Sequence, residues 1–503
     1  MQHFIRGLCN VSTKAKNPTN FVHFCPPPYA SFMKASSKRR KPVQTQRWSV
    51  LHFIAIKQQS EVKMASSSAV AASPIEATII RKIRTRIVPL ILVLWVIAKL
   101  DQINIGFAAL TMNRELAITS QQYGFIAGVF FFGYFLFEIP SNLLLHRIGA
   151  RVWISRILIS WGTLAVLTGF AQTAHQLYVA RFLLGMAEAG YFPGLVLYLT
   201  YWFPQRHLAR TIALLLTGNA LSNIVGAPLS GLILDYVHWF GVGSWRWLLI
   251  LEGLPAILGG IVIYLLLPGR PAEASFLTAG EKDWIKAELA LEEHQKLSAR
   301  KMTAGEALTN GRVWHLTAAY FTAMIGNYVL GFWMPQLLKA FSSEYLNTTV
   351  GLLVMLPYLA ALPVMILVAR ASDRRLERRY HAAIPLVIGG ISLVLLATTD
   401  SRSIVFSMAL WCLAASGVYS LWGPFWSLPN EFLTGFSAAA GIALINSFGN
   451  LGGFVGPYAI GAINQRTGSF RGGLLFVGIS LFTSAALILA LRKRPEHQGL
   501  ARI

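Results

Sequence analysis

Twelve runs of mostly apolar residues divide this 503-residue chain, and each is long enough to cross a lipid bilayer as a helix of about 20 residues. The chain is 54% hydrophobic and only 13% charged, whereas a soluble domain carries about 25% charged residues. Little chain remains for a soluble domain. The sequence therefore predicts an all-α integral membrane protein, with spans at roughly 88–110, 122–145, 153–173, 177–203, 211–235, 246–268, 313–338, 347–369, 382–399, 403–428, 437–463 and 472–491.

A polar linker over residues 269–312 separates the first six spans from the last six. This division is typical of transporters built from two six-helix halves, with the substrate site between the halves near the middle of the membrane. We expect the N-terminal half over 81–268, the C-terminal half over 313–491 and a cytoplasmic tail over 492–503.

The linker carries a helix-start signal. Thr278 and Glu281 have the spacing of a capping box, and apolar residues follow among Lys and Glu. This pattern predicts an amphipathic helix on the inner membrane surface, with a structural role.

Residues 1–80 form a basic N-terminal extension that we expect to be disordered. The first 63 residues hold eleven Lys or Arg and one acid, Glu61, and contain no run of span length. An Arg-rich, acid-poor leader is typical of an organelle transit peptide. Alternatively, translation begins at Met64, and this is the interpretation we favour.

The distribution of basic residues predicts the orientation. Thirteen Lys or Arg fall in the predicted inner loops and C-terminal end, against six in the outer loops. Because cytoplasmic loops carry the excess of Lys and Arg, both termini are expected in the cytoplasm. The net charge of +23 then reflects topology, and nucleic-acid binding is not expected.

The sequence offers no signal for catalysis, metal binding or a cofactor. It contains no Gly-Lys pair for a phosphate-binding loop and no metalloprotease or paired Cys-x-x-Cys motif. Cys9 and Cys25 lie in the leader, and only Cys412 lies in a span, so no disulfide framework is expected. We predict that the chain is not an enzyme.

Two predicted spans contain charges: Lys99 and Asp101 in the first, and Arg181 and Glu188 in the fourth. A charge near the bilayer centre costs at least about 2.5–3.5 kcal/mol and usually marks an ion or substrate path. Arg181 and Glu188 are seven residues apart and share one helix face. Glu188 either takes part in transport, which we favour, or forms a structural buried pair with Arg181.

Five ordered motifs carry a family resemblance. They are LDQINIGFA at 100–108, FEIPSN at 137–142, RFLLGMAEA at 181–189, FWMPQ at 332–336 and GIALINSFGNLGG at 441–453. Together they resemble the anion:cation symporter family of the major facilitator superfamily, over about residues 80–495.

The resemblance implies a twelve-helix fold that alternates access and carries organic anions together with protons. Bacterial relatives of this pattern take up tartrate, sugar acids such as galactonate, or aromatic acids such as hydroxyphenylacetate. By similarity, Asp101 and Glu188 are the proton-titrating carboxylates. The positions that match cavity-facing residues of the family are Tyr328, Gln336, Asn446 and Asn450.

The chain departs from the family at residue 102, where Gln102 replaces the arginine expected to hold the substrate carboxylate. Lys99 lies three residues earlier on the same helix face, so we predict that it now meets the anion while Gln102 adds a hydrogen bond. Alternatively, Lys99 snorkels or pairs with another helix, for instance with Glu188.

Basic loops follow the second and eighth spans at equivalent places. Arg147 and Arg151 in the first loop, and Asp373 and Arg374 in the second, are predicted to form a cytoplasmic gate. The positive-inside pattern alone would also account for them. Glu138, near the inner end of the second span, is predicted to hold this gate against basic loop residues.

These observations predict a proton-coupled symporter of a small organic anion, in the cytoplasmic membrane and monomeric. A passive facilitator of organic acids and a transporter-like membrane sensor remain as alternatives.

Overall fold

The computed structural model describes residues 74–298, 309–341, 344–399, 403–429, 432–433 and 435–491. The predicted transit peptide or start at Met64, and the tail at 492–503, lie outside the described residues.

The described residues form seventeen α-helices and two short 3-10 turns, with no strand among them. The helices are α1 Pro74–Ile103, α2 Ile105–Glu115, α3 Ser120–Ile148, α4 Ala150–Thr168, α5 Ala174–Glu188, α6 Tyr191–Thr200, α7 Gln205–Tyr236, α8 Ser244–Leu266, α9 Ala279–Ser298, α10 Gly311–Lys339, α11 Asn347–Arg375, α12 Arg379–Thr398, α13 Ile404–Tyr419, α14 Trp422–Ser427, α15 Gly435–Asn450, α16 Gly452–Thr467 and α17 Arg471–Ala490.

Nine helical segments in the described ranges are long and apolar enough to cross a membrane. They correspond to predicted spans two to six, eight to ten and twelve. The other three predicted spans are helical too, in α1 with α2, in α10, and in α15 with α16. The expected series of twelve spans in two halves is therefore present in the fold.

Four spans consist of two shorter helices. The interruptions lie at Asn104 in the first span, at Ala189 and Gly190 in the fourth, and near Ser420 and Leu451 in the tenth and eleventh. Non-helical backbone at membrane depth is tolerated where it is buried in protein or lines a cavity. At Gly190, φ is +86°, and a Cβ atom would lie 2.3 Å from Ser141 Oγ, so only glycine fits.

The first helix is longer than expected. It begins at Pro74, inside the segment 1–80 that the sequence predicted to be a disordered extension. Glu76 near its start is hydrogen-bonded to Arg206 at 2.6 Å and to His207 at 2.9 Å, both at the start of α7. Contacts with another helix therefore extend the helical structure beyond the apolar run.

The two halves meet closely at one end of the bundle, the predicted outer end. There α3 packs on α16, α7 on α11, and α2 on α10. The backbones approach so closely that a Cβ on Gly351 would lie 2.3 Å from the Ala227 carbonyl oxygen, and one on Gly124 would lie 2.5 Å from that of Pro457.

The linker helix α9 starts as its capping box predicts. The Glu281 amide donates to Thr278 Oγ1 at 3.4 Å, and the Thr278 amide donates to Glu281 Oε2 at 2.9 Å. Ile285 is fully buried, and Lys82 of α1 pairs with Glu281 at 2.5 Å. This helix is docked on the N-terminal half.

Candidate functional site

A cavity between the two halves contains most of the predicted substrate residues. From the N-terminal half it is lined by Trp95, Lys99, Gln102, Ile103, Phe131, Tyr134, Phe192, Leu216, Asn219, Ser222 and Asn223. From the C-terminal half it is lined by Tyr320, Asn327, Tyr328, Gly331, Tyr419, Trp422, Trp426, Asn446 and Asn450. Aromatic rings and amides make up most of this lining.

Lys99 is the one charged side chain in the lining of this cavity, as far as the described residues go. Its Nζ donates to Gln102 Oε1 at 2.8 Å and lies 4.6 Å from the centre of the Trp95 ring. It also lies 3.9 Å from Glu188 Oε1 of the fourth span. The sequence left two interpretations of Lys99 open: contact with the substrate cavity, and pairing with Glu188. The observed position of Lys99 allows both contacts.

Asp101 lies on the opposite side of the first span, with 1% of its surface exposed. Its Oδ1 accepts a hydrogen bond from Asn104 Nδ2 at 2.8 Å, while its Oδ2 has no hydrogen-bond partner. Asp101 is not part of the cavity lining. The charges that the sequence places together in the first span therefore face different surroundings.

Arg181 does not form the ion pair with Glu188 that one interpretation of the sequence offered. Its Nη2 donates to the Gln102 carbonyl oxygen at 3.3 Å, and its guanidinium lies 5.1 Å from the centre of the Phe130 ring. Within the described residues, the cation within 4 Å of Glu188 is Lys99. Residues seven apart share one face of a helix, but sharing a face does not make them a pair. The Arg181 side chain contacts the neighbouring helix α1 instead of Glu188.

Asn446 and Asn450 belong to a chain of polar side chains that crosses between the halves. Tyr328 donates to Asn450 Oδ1 at 3.0 Å, and Asn450 donates to Asn446 Oδ1 at 3.2 Å. Asn446 then donates to Glu138 Oε1 at 2.9 Å, and Ser447 donates to Glu138 Oε2.

Glu138 is therefore placed differently from the prediction that it meets basic loop residues. It is 1% exposed, and its described hydrogen bonds are to two side chains of α15 in the other half. The physical reason is that ten residues separate it from the end of α3 at Ile148, which is about 15 Å along a helix. The carboxylate joins the halves at the edge of the cavity.

The four predicted gate residues lie at the surface of their own halves. Arg151 donates to the Tyr264 carbonyl oxygen at 3.1 Å and lies 3.8 Å from Glu273, while Arg147 is exposed. Asp373 pairs with Arg378, and Arg374 is exposed. None of the described hydrogen bonds or ion pairs of these residues joins the two halves.

Gln336, predicted to face the cavity, is not among its lining residues. Its Oε1 accepts a hydrogen bond from Asn113 Nδ2 at 3.4 Å, between α2 and α10. This contact lies at the predicted outer end, where the two halves meet closely, rather than in the cavity.

Residues 90–457 match the sequence family described as the Major Facilitator Superfamily. The chain belongs to this superfamily.

Two curated relatives and one solved structure illustrate the match. A protein of Agrobacterium vitis named "Putative tartrate transporter" is 42% identical, with 85% of this chain and 98% of that protein covered. A Pseudomonas putida protein named "Putative metabolite transport protein NicT" is 38% identical, with 82% and 93% covered. The fold resembles that of a bacterial homologue of the human lysosomal transporter Spinster, with a TM-score of 0.65, 16% identity, and 81% and 96% covered.

This major facilitator protein is thus a multi-pass membrane transporter, and its fold and relatives are those of transporters rather than enzymes. In the described ranges, no group of three or more His, Cys, Asp or Glu side chains could hold a metal ion. What the arrangement offers is a binding cavity with one positive charge, flanked by buried carboxylates.

Several polar residues in and around this cavity were missed by the sequence reasoning. Amides such as Asn219 and Asn223 line the cavity, although no motif distinguishes them from packing residues. Glu252 in the sixth span is a different case, because it is a charge inside an apolar run. The rule that identified Asp101 and Glu188 would also have found it.

Proposed function

We propose that this protein is a proton-coupled symporter that carries a small organic anion across the cytoplasmic membrane. The observation that carries the proposal is the position of Lys99, which contacts the cavity and lies 3.9 Å from the buried carboxylate of Glu188. The name of the Agrobacterium vitis relative, a tartrate transporter, supports an organic acid as the substrate.

The coupling follows from competition for one cation. Two opposite unit charges about 4 Å apart attract by about 4 kcal/mol at an effective dielectric constant of 20. While Glu188 is ionised, it attracts Lys99 and disfavours an approaching anion. When Glu188 binds a proton, Lys99 is free to hold the substrate carboxylate. Proton and anion then favour each other's binding by the same free energy.

The charge of the cavity favours substrates with one carboxylate. Lys99 is the single cation among the described lining residues, and Gln102 is neutral. A second carboxylate would lie in the cavity without a positive partner, which is costly away from water. The amides and aromatic rings suit hydroxyl groups or a ring, so galactonate or hydroxyphenylacetate is expected to bind better than tartrate or phthalate.

The remaining assignments belong to the same proposal. Both termini lie in the cytoplasm, the protein acts as a monomer, and apart from the earlier start of α1 at Pro74 the two halves and the linker have the boundaries predicted from the sequence. Arg147, Arg151, Asp373 and Arg374 come together only in the conformation that is open to the outside. The close contacts between the halves at the predicted outer end support this view, because they leave access from the inner end.

The testing experiment is uptake of labelled tartrate, galactonate, phthalate and hydroxyphenylacetate into vesicles that contain the full chain. Uptake is compared with and without an imposed inward proton gradient. We expect accumulation of a monocarboxylate above its outside concentration only when the gradient is present. Each proton that moves down a gradient of one pH unit provides about 1.4 kcal/mol, or about tenfold accumulation.

Vesicles without the protein, and vesicles treated with a proton ionophore, are the controls. Equilibration without accumulation would identify a passive facilitator instead. Uptake of none of the four acids would contradict the anion assignment, with Gln102 as the first residue to examine.

A further inference from the structure

A third carboxylate, Glu252, lies inside the N-terminal half, in the middle of α8. It is 3% exposed and is not part of the cavity lining. Its Oε1 accepts a hydrogen bond from Ser230 Oγ of α7 at 2.8 Å, and its Oε2 has no partner. A carboxylate in such a place needs either a cation or a proton, because burying an unpaired charge is very costly.

Glu252 faces the polar side of the first span. The helix α8 packs against α1 and α2, which meet at Asn104. These two spans, the first and the sixth, run antiparallel, and a Cβ on Gly259 of α8 would lie 2.3 Å from Leu94 Cδ2 of α1. Seven residues along each helix, Glu252 and Asp101 lie at the same level. Asn104 Oδ1 has no partner, like Asp101 Oδ2 and Glu252 Oε2. Three buried acceptor oxygens in this region therefore accept no hydrogen bond, although the side-chain donors of Asn104 and Trp161 lie nearby.

The surrounding helices supply few donors and no cation directly to Glu252. From α4, Trp161 faces Asp101, but its indole N–H is without a hydrogen-bond partner. From α7, the neighbour is the uncharged Ser230, and α2 presents no titratable side chain at this level. Arg181 faces Asp101, whereas the described groups that interact with Glu252 include no cation.

A proton bound to one of the carboxyls would supply the missing hydrogen-bond donor. A protonated carboxyl becomes a donor, whereas an ionised one only accepts. With one proton between the two carboxyls, one is neutral and the other is ionised. Transfer breaks the O–H bond of one carboxyl and forms the O–H bond of the other, so the pair keeps a total charge of −1.

We propose that Glu252 and Asp101 share a transported proton, separate from the proton that Glu188 binds. This inference rests on the proposed proton-coupled symport. The link to the substrate is the helix α1, because Lys99 and Gln102 line the cavity on one side while Asp101 lies on the other. A movement of α1 on substrate binding changes the position of Asp101 relative to Glu252.

The test compares Glu252→Gln with Ser230→Ala, which removes the hydrogen bond but keeps the carboxylate. Full-length protein in liposomes with an entrapped pH dye is given the four-acid panel, and exchange, accumulation and protons taken up per acid are measured. We expect Glu252→Gln to retain exchange but to lose one proton per acid. Its accumulation under a gradient of one pH unit falls by about tenfold. Ser230→Ala should keep the wild-type ratio.

Glu188→Gln alone should also lose one proton, and the double variant should exchange without accumulating. An unchanged proton ratio in Glu252→Gln would overturn the inference and make Glu252 structural. Accumulation by the wild type that requires sodium, and is lost in choline buffer, would assign the site to a metal cation instead. Failure of the wild type to couple to protons would contradict the proposed function itself.

A second measurement covers the case in which Glu252→Gln does not fold. Glu188→Gln leaves Glu252 and Asp101 in place, so substrate addition to this variant should still cause uptake of one proton. If Glu188→Gln takes up none, the second proton does not exist and the inference is wrong.

Discussion

At the scale of single residues, the position of Lys99 explains why the replacement of an arginine by Gln102 does not leave the cavity uncharged. Lys99 Nζ donates to the Gln102 side chain at 2.8 Å, so the two side chains form one polar unit in the cavity lining. A lysine is a compact charge without the planar fork of arginine. We therefore expect a single, less directional contact with a carboxylate.

Lys99→Ala should weaken binding of the transported acid by about ten- to a hundredfold, because a hydrogen bond to a charged group contributes about 1.5–3 kcal/mol. Lys99→Arg, which keeps the charge, is the matched control and should lose much less. Gln102→Arg in the Lys99→Ala background should restore part of the affinity. The measurement is the half-saturating acid concentration for exchange.

One pattern of results would contradict the relocated cation. If Lys99→Ala left the affinity unchanged while Gln102→Ala abolished it, Lys99 would not meet the substrate. Lys99 would then be a partner of Glu188 alone.

At the scale of helices, the surface helix α9 shows how local sequence and tertiary contacts cooperate. Its capping box starts the helix, and its acidic face then binds two other elements: Glu281 pairs with Lys82 of α1 at 2.5 Å, and Glu288 pairs with Arg206 of α7 at 2.7 Å. The hydrogen bonds from Lys82 and from the Thr278 backbone hold the pKa of Glu281 below its usual 4.5.

Glu281→Ala should loosen the first turn of α9. It removes one hydrogen bond of the capping box and the contact with Lys82, each worth about 1 kcal/mol, so amide exchange there should become about five- to thirtyfold faster. Hydrogen–deuterium exchange, corrected for intrinsic rates, measures this change. The exposed Lys286→Ala in the same helix is the control. Equal exchange in both variants would mean that the contacts do not hold the helix.

The same contact has a defined pH dependence. A carboxylate whose pKa is lowered in the folded state stabilises that state at pH values above its ordinary 4.5, and this stabilisation is lost as the pH falls through the lowered pKa. The protection of α9 in the wild type should therefore be the same at pH 7 and pH 5. It should decrease only below about pH 4.5.

At the scale of the whole molecule, one aspartate joins the two halves at the predicted outer end, where they meet closely. Asp235 Oδ1 accepts from the Asn347 amide at 3.1 Å and from its side chain at 2.8 Å. Asp235 Oδ2 accepts from the Thr348 amide and from its hydroxyl, each at 2.7 Å. A side chain of α7 thus caps the N-terminus of α11, where the helix dipole also favours a negative charge.

Asp235→Ala should shift the protein towards the conformation that is open to the outside. Hydrogen bonds to a carboxylate contribute about 1.5–3 kcal/mol each, so loss of even one shifts the equilibrium by about tenfold or more. The measurement is the labelling rate of Ser222→Cys in the cavity by an impermeant maleimide added outside, in a background without other cysteines.

Asp283→Ala is the control, because Asp283 is an exposed acid on the linker helix α9. It should leave the outside labelling rate unchanged. If Asp235→Ala also left it unchanged, the contact would not hold the outer end closed.

The positions of the spans and the start of α9 were predictable because they depend on local properties. Apolar length decides whether a segment can cross a bilayer, and the residues of a capping box lie within one turn of each other. The resemblance implied cavity positions for Tyr328, Gln336, Asn446 and Asn450, and helix spacing indicated that Lys99 and Gln102 meet the anion. In the structure, all of these except Gln336 line the cavity.

Other features depended on distant partners and could not be predicted from the sequence. Glu138 meets Asn446 and Ser447, which are more than 300 positions away. The Asn113 contact of Gln336 and the hydrogen bond of Arg181 to the first span also join different helices. Spacing along one helix does not determine which face meets which neighbour.

The sequence by itself determined that this chain crosses the membrane many times, carries buried charges and belongs with the major facilitators. These conclusions follow from hydropathy and from motifs that can be read locally. Only the tertiary structure decided that Lys99 lies between a cavity and Glu188, that Glu252 faces Asp101, and that Asp235 joins the halves. The free energy of a buried charge depends on the groups within a few ångströms, and packing brings those groups from distant parts of the chain.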